Sequence, residues 1–106
     1  MNIENEQTQT HQLDYIKNKL SDTYQGNMDV STLYFKIDVL TKDEVIVIED
    51  MSNWVNGIGY LTIHSTQFPN KKKHLHLYNI DSQNSDNVHK IITFCANYEI
   101  NLTLEQ

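Results

Sequence analysis

The 106-residue chain contains no arginine, one cysteine, one proline and three glycines. The single cysteine, Cys95, excludes a disulfide framework within the chain. Arginine is the side chain best suited to bidentate contacts with phosphate and guanine, so its absence argues against a nucleic-acid partner. No apolar run approaches the ~20 residues that span a bilayer. The polar start MNIENEQTQT does not resemble a signal peptide, and we expect a cytoplasmic protein with no membrane contact.

Acidic residues outnumber lysines, and they are concentrated in the first half of the chain. Residues 1–50 hold ten acids and four lysines, whereas residues 51–106 hold four of each, and the formal net charge is −6. An acidic surface steers association with a basic partner. Five acids near the ends of the second and third predicted elements form the expected partner-binding patch: Asp38, Asp43, Glu44, Glu49 and Asp50.

The hydrophobic pattern predicts one α+β domain with the element order α-β-β-β-β-α-β. Residues 1–10 are polar and are expected to be flexible, and the domain occupies residues 11–106. Apolar residues at helical spacing follow Leu13 and again Val88, while apolar and polar residues alternate in the predicted strands. A helix between two strands favours a parallel last pair. We therefore expect a mixed, mostly antiparallel sheet with both helices packed on one face.

The segments GYLTIHSTQF and KKHLHLYNI are predicted to be paired strands that turn at Pro69. Strand side chains alternate between faces, so this hairpin would place His64, His74 and His76 together on one polar face. Three histidines at this spacing can bind zinc. However, no acidic residue adjacent in sequence would orient their rings, and a solvated strand face explains the same pattern. No cofactor is expected other than zinc at this site.

Large aromatic residues provide further candidate binding positions. Trp54 lies among polar residues without a periodic partner, so the pattern leaves open whether it is buried or serves as a recognition anchor. Tyr60 and Tyr78 fall on the same predicted face as the histidines. Together with the lysine turn at residues 71–73 they could stack the bases of a single-stranded nucleic acid, although the net charge opposes this. Cys95 lies on an apolar helical stripe, which favours a buried structural role over a nucleophile.

These observations favour a small acidic protein that binds another protein and has no catalytic residues. Its expected partner is a larger protein with a basic surface, which the chain would block as an inhibitor, an immunity protein or an anti-defence factor. The bias towards Asn, Lys and Ile suggests an AT-rich bacterial or phage genome. The alternatives are a metal-binding or histidine-dependent small enzyme and a single-strand nucleic-acid-binding module. An exposed edge at the last strand would also allow a homodimer.

Overall fold

The computed structural model describes residues 3–81 and 85–105 of the chain. These residues form three α-helices and five β-strands, and a 3-10 turn, Met51–Asn53, precedes the second helix. In chain order the elements are α1 Ile3–Tyr24, β1 Asn27–Ser31, β2 Lys36–Leu40, β3 Glu44–Asp50, α2 Trp54–Ser65, β4 Lys72–Tyr78, α3 Ser85–Asn97 and β5 Ile100–Leu104.

The five strands form one mixed sheet in the order β1-β2-β3-β4-β5. The pairs β1–β2 and β2–β3 are antiparallel, whereas β3–β4 and β4–β5 are parallel. Helices α2 and α3 supply the connections that two parallel pairs require. The α+β class, the single domain and the parallel last pair are therefore confirmed. Helix α1 begins at Ile3, inside the stretch expected to be flexible, and that flexibility remains a prediction.

The predicted hairpin around Pro69 is absent, because most of the stretch expected to be its first strand belongs to α2. The structural order is therefore α-β-β-β-α-β-α-β. Helical spacing explains this outcome, since Gly57, Leu61 and His64 are the buried positions of α2. Gly57 also allows close packing: a Cβ atom there would lie 2.6 Å from Leu75 Cδ1. The two glycines and the β-branched residues of this segment lower its helix propensity and hide the pattern.

The sheet is covered on both faces. Val45 and Val47 of β3 belong to the core beneath α2 and α3, while the alternate residues Ile46 and Ile48 belong to a second core beneath α1. The expectation that the first and last helices share a face is thus corrected: α1 lies opposite α3. Within the described ranges, no helix is long and apolar enough to cross a membrane.

Helix α1 ends in a turn that brings the chain into β1. Gln25 has a φ angle of 54°, and the Gly26 amide donates a hydrogen bond to the Ser21 carbonyl at 2.9 Å. A Cβ atom at Gly26 would lie 2.9 Å from the Leu40 carbonyl oxygen, so only glycine fits here without displacing β2. This close approach places α1 over the sheet face that carries His74 and His76.

Candidate functional site

Lysines are concentrated where β3 and β4 begin. Four of the eight lysines, Lys42, Lys71, Lys72 and Lys73, lie at this end of the sheet, which we name the lysine end. The Lys72 amide donates to the Asp43 carbonyl at 2.8 Å, which joins the turn before β3 to the start of β4. The parallel pairing of these strands therefore brings together lysines that are about thirty residues apart in sequence.

A groove of about 770 Å³ opens beside the lysine end, between the last turns of α2 and α3. Its charged side chains are Lys71, Lys72, Lys73 and Glu99. Polar groups that can donate or accept hydrogen bonds also line it, namely Ser65, Asn70 and Asn101. The groove thus combines an excess of positive charge with neutral polar groups, a combination that suits an anionic ligand.

Local electrostatics explain why lysines are favoured at this end. Helices α2 and α3 both end here, and the C-terminus of a helix carries a partial negative charge that cations stabilise. Lys71 has an additional structural role, since its ammonium group donates to the carbonyls of Thr41 and Lys42, each at 2.7 Å. Lys72 is exposed and Lys73 is half-buried, so these two remain the best placed to contact a ligand.

The five acids of the predicted partner-binding patch do not form one surface. Asp43 and Glu44 lie at the lysine end, whereas Glu49 and Asp50 lie at the far end of β3, ~20 Å away at the usual rise of a strand. Asp38 belongs to β2 and accepts a hydrogen bond from the Ile48 amide at 2.8 Å. Because the acids are dispersed, the negative charge of residues 1–50 does not define one binding face.

Two of these acids have local structural partners. Asp50 accepts hydrogen bonds from the amide and the hydroxyl of Ser52, at 2.9 and 2.8 Å, and so caps the 3-10 turn. Asn79 also donates to Asp50 at 2.8 Å. Glu44 accepts a hydrogen bond from the Asn101 amide group at 3.0 Å. These contacts account for both carboxylates without a partner protein.

His74 and His76 share a face of β4 opposite Leu75 and Leu77, as predicted, but this face is buried beneath α1. The two histidines are 2% and 4% exposed. The Thr103 hydroxyl on β5 lies between them, 2.7 Å from His74 Nε2 and 2.6 Å from His76 Nδ1. The ring of Tyr24 packs edge-on against His74. The expected solvated strand face is therefore an internal polar layer.

Carboxylates lie at both ends of this layer. Glu44 Oε2 is 3.1 Å from His74 Nδ1, although the angle there does not meet hydrogen-bond geometry, and Glu105 Oε1 is 3.0 Å from His76 Nε2. Lys19 of α1 pairs with Glu105. Burial lowers the pKa of both histidines, and the neighbouring carboxylates oppose this shift only in part. Both rings are therefore neutral near pH 7.

His64 does not join the other two histidines, because it lies on α2 and faces the opposite side of the sheet. It is 1% exposed, and its Nδ1 atom has no hydrogen-bond partner in the described part of the chain. Among the described residues, no three His, Cys, Asp or Glu side chains are close enough to hold a metal ion. The structure thus does not assemble the zinc site that a hairpin would have formed.

The aromatic candidates lie on different elements, although Tyr60 and Tyr78 both line a cavity between β2 and β3. Trp54 is half-buried and packs edge-on against Phe94 with ring centroids 5.8 Å apart, so it contributes to the core. Tyr60 is partly exposed on α2, whereas Tyr78 is buried beneath α1. Sequence reasoning missed Tyr98, which is 59% exposed and immediately precedes groove residue Glu99. Its position just after the predicted second helix is the only sequence signal that could have identified it.

The fold and this groove define a small α+β domain whose lysine end carries four lysines against the three acids Asp43, Glu44 and Glu99. The chain is similar to proteins of Acanthamoeba polyphaga mimivirus that are named as KilA-N domain-containing. It is 34% identical to one of them over 87 residues, which is 82% of this chain and 34% of that protein. A second is 33% identical over 89 residues, covering 84% of this chain and 24% of the relative.

The chain therefore spans about a third or less of these relatives. No family model matches the chain, and no solved structure matches it. The KilA-N name denotes a family of DNA-binding domains. The interpretation as an acidic inhibitor of a basic protein, with nucleic acid excluded, is therefore wrong. It relied on net charge, and net charge does not reveal that half of the lysines are gathered at one end.

Proposed function

We propose that this chain is a nucleic-acid-binding module that contacts the phosphate backbone through its lysine end. The observation that carries this proposal is its 34% identity, over 82% of its length, to a KilA-N domain-containing protein. Because the chain corresponds to only a third of that relative, the proposal concerns this module and leaves the activity of the longer proteins aside.

The groove at the lysine end is the surface that best fits a phosphate backbone. Lys72 and Lys73 supply positive charge, and Asn70 and Asn101 supply neutral donors of the kind that bind phosphate oxygens. The acids at the far end of β3 lie ~20 Å away, about two Debye lengths at physiological salt. Their repulsion of a nucleic acid bound in the groove is therefore strongly screened.

The lack of arginine shapes the kind of recognition that we expect. Bidentate contacts from arginine are the commonest way to read guanine, whereas lysine acts on phosphate mainly as a point charge. We therefore propose binding with weak dependence on sequence. Tyr78 is buried and cannot stack on bases, so we assign base stacking to the exposed Tyr98, which directly precedes groove residue Glu99.

The test is fluorescence anisotropy with a short labelled DNA duplex and its matched single strand, over a range of salt concentrations. Each phosphate contact that is lost should reduce the slope of log K against log salt by about one. Lys72→Gln and Lys73→Gln should therefore each flatten the slope and weaken binding. Lys71 is left intact because it bonds to two backbone carbonyls.

Lys36→Gln is the matched control, because Lys36 is exposed and starts β2 at the far end of the sheet from the lysine end. It removes the same charge from the chain and should leave the slope unchanged. Absence of binding to either DNA at low salt would reject the proposal. An effect of Lys36→Gln as large as that of Lys72→Gln would reject the lysine end as the binding surface.

A further inference from the structure

A second cavity, of about 300 Å³, lies where β2 and β3 separate. The two strands pair only at Val39 with Ile46 and at Leu40 with Val45. Beyond these pairs the backbone pairing stops, and the Asp38 carboxylate accepts a hydrogen bond from the Ile48 amide. In a continuous antiparallel ladder this amide would donate to a backbone carbonyl of β2 instead. Side chains from both helical layers, including Leu13 of α1 and Tyr60 of α2, line the opening.

Two polar groups in this cavity, the Glu49 carboxyl and His64 Nδ1, have no hydrogen-bond partner among the described residues. The carboxyl group of Glu49 forms no hydrogen bond or ion pair with any described residue. His64 lines the same cavity, and its Nδ1 atom is unpaired although the residue is 1% exposed. Buried polar atoms normally find a partner in the protein, in water or in a ligand. Two unpaired groups lining one cavity therefore indicate a site for a polar occupant.

The charges around the cavity select a cation. Burial, with the charges of Asp38 and Asp50, raises the pKa of Glu49 to about 7. Burial also lowers the pKa of His64, so its ring is neutral and one nitrogen can accept a hydrogen bond. The lining side chains carry two carboxylates, those of Asp38 and Glu49, against one ammonium, that of Lys36, so an anion would meet an excess of negative charge. A cation would reduce the electrostatic repulsion between the carboxylates of Glu49 and Asp38. Its N–H groups could also donate hydrogen bonds to acceptors on β3 and α2.

Aromatic rings complete the site. Phe35 and Tyr60 pack edge-to-face with centroids 5.3 Å apart, and both line the cavity. A cation near the face of an aromatic ring gains electrostatic attraction from it. Phe35 and Tyr60 are also partly exposed, at 46% and 37%, so the aromatic wall can be reached from solvent.

We propose that the cavity between β2 and β3 binds a primary ammonium group, carried by a free alkyl amine or by a lysine side chain of a peptide. An ammonium is a compact cation with three donors, which suits hydrogen bonds to Glu49 on β3 and to His64 on α2, while Asp38 on β2 adds negative charge nearby. A planar guanidinium would favour a single carboxylate in a bidentate contact. No three metal-ligating side chains lie together among the described residues, so a metal ion fits less well.

Binding of an ammonium should depend on pH through Glu49. The occupant prefers the ionised carboxylate, so affinity should rise about tenfold between pH 6 and pH 8 for a group of pKa about 7. Of the facing groups, His64 has a pKa that burial lowers, which favours its neutral form. The charged and titratable groups that face Glu49 are Lys36, Asp38, Asp50, Tyr60, His64 and Tyr78, with Lys17 behind Asp38.

The experiment uses the whole chain and two probes at constant ionic strength: butylammonium and a capped peptide with one lysine. Isothermal titration calorimetry measures affinity, and carbon-detected NMR follows the Glu49 carboxyl through its titration. Either probe should lower the pKa of Glu49, while the N-acetylated form of that probe should not. Binding of butylammonium alone would indicate a small amine, and binding of the peptide would indicate a protein lysine.

Glu49→Gln should weaken binding of the active probe at least tenfold and remove the pH dependence. Asp22→Asn is the matched control because Asp22 is exposed on α1, and its loss changes the net charge equally. The NMR titration of the unmodified chain tests the site without any substitution. If neither probe shifts Glu49, or if the acetylated forms bind equally well, the proposal is overturned. Its outcome is independent of DNA binding, which is tested through Lys72 and Lys73.

Discussion

The Thr103 hydroxyl lies 2.6 Å from Nδ1 of His76, in the polar layer between the sheet and α1. The same oxygen lies 2.7 Å from Nε2 of His74. A hydroxyl has one hydrogen to donate and can accept another, so it can serve one imidazole as donor and the other as acceptor. Thr103 therefore satisfies two buried rings that the strand pairing places on either side of it.

Replacing Thr103 with valine should destabilise the domain by about 1–3 kcal/mol, the usual cost of leaving buried polar groups unpaired. Valine has nearly the same shape, so the loss would come from the hydroxyl. Thr103→Ser restores the oxygen and should recover most of the stability. Urea unfolding of the three proteins measures this. Equal stability of the valine and serine variants would show that the two short contacts contribute nothing.

The buried histidines should make the domain less stable in mild acid. Burial lowers the pKa values of His64, His74 and His76 below 6.5, so the unfolded state binds more protons than the folded state at lower pH. Their contribution is complete above about pH 6.5 and is lost as the pH falls below it. Urea unfolding between about pH 7 and about pH 5 measures this slope.

His76→Gln should reduce that slope by up to about 1.4 kcal/mol per pH unit, the value of one proton. His89→Gln is the control, because it makes the same substitution at an exposed position on α3. A slope that is the same in both variants would show that His76 titrates in the folded state as it does in the unfolded chain.

Glu49 should affect stability in the opposite direction. Its pKa is raised to about 7 by burial and by Asp38 and Asp50, so the folded state holds a proton that the unfolded state releases. Stability is therefore lost as the pH rises from about 4.5 through about 7. Glu49→Gln should stabilise the domain by about 1–2 kcal/mol at pH 8, after allowance for partial solvent screening, and by much less at pH 5.

Glu99→Gln is the matched control for this experiment, since Glu99 is exposed and its substitution removes the same charge. Urea unfolding of both variants at the two pH values gives the comparison. A gain of stability that is equal at pH 5 and pH 8 would show that the buried charge of Glu49 is not its cause.

The alternation of β4 was predictable from sequence, whereas its environment was not. Leu75 and Leu77 do face one core, and His74 and His76 do share the other face. The error lay in assuming that a face with histidines meets solvent. The covering element is α1, and only tertiary structure shows that Thr103, Glu105 and Lys19 supply the polar partners of these rings.

The lysine end could be predicted only in part. The run of lysines at residues 71–73 was visible, but Lys42 joins it only because β3 and β4 are parallel. That pairing depends on α2, whose helical pattern was masked by Gly57, Gly59 and alternating apolar residues. A strand over this segment would place Tyr60 and His64 on the same face as His76, whereas α2 covers the opposite face of the sheet.

The two glycines of α2 should respond in opposite ways to substitution by alanine. At Gly57 a Cβ atom would lie 2.6 Å from Leu75 Cδ1 and 3.1 Å from Glu49 Cγ, so Gly57→Ala should destabilise by about 1–3 kcal/mol through overpacking. At Gly59 nothing lies within 4 Å, so Gly59→Ala should stabilise by up to about 1 kcal/mol. Thermal unfolding measures both. A stabilising Gly57→Ala would contradict the close packing of α2 on the sheet.

Tyr98 offers a way to distinguish between the two kinds of DNA that the lysine end could hold. Tyr98 is 59% exposed and directly precedes groove residue Glu99, and its ring stacks on Phe94 with centroids 4.5 Å apart. Stacking of one base on an aromatic side chain contributes about 1–3 kcal/mol, and only an unpaired strand presents its bases in this way. Tyr98→Ala should therefore weaken single-strand binding about tenfold or more, with little effect on a duplex.

Tyr34→Ala is the matched control, because Tyr34 is 58% exposed in the turn between β1 and β2, away from the lysine end. Anisotropy titrations with the single strand and the duplex should show no change for this variant. If Tyr98→Ala weakens both DNA forms equally, Tyr98 supports the shape of the groove and does not stack on bases. If only the single strand is affected, the aromatic contact adds to the salt-dependent contacts of Lys72 and Lys73, which both forms of DNA share.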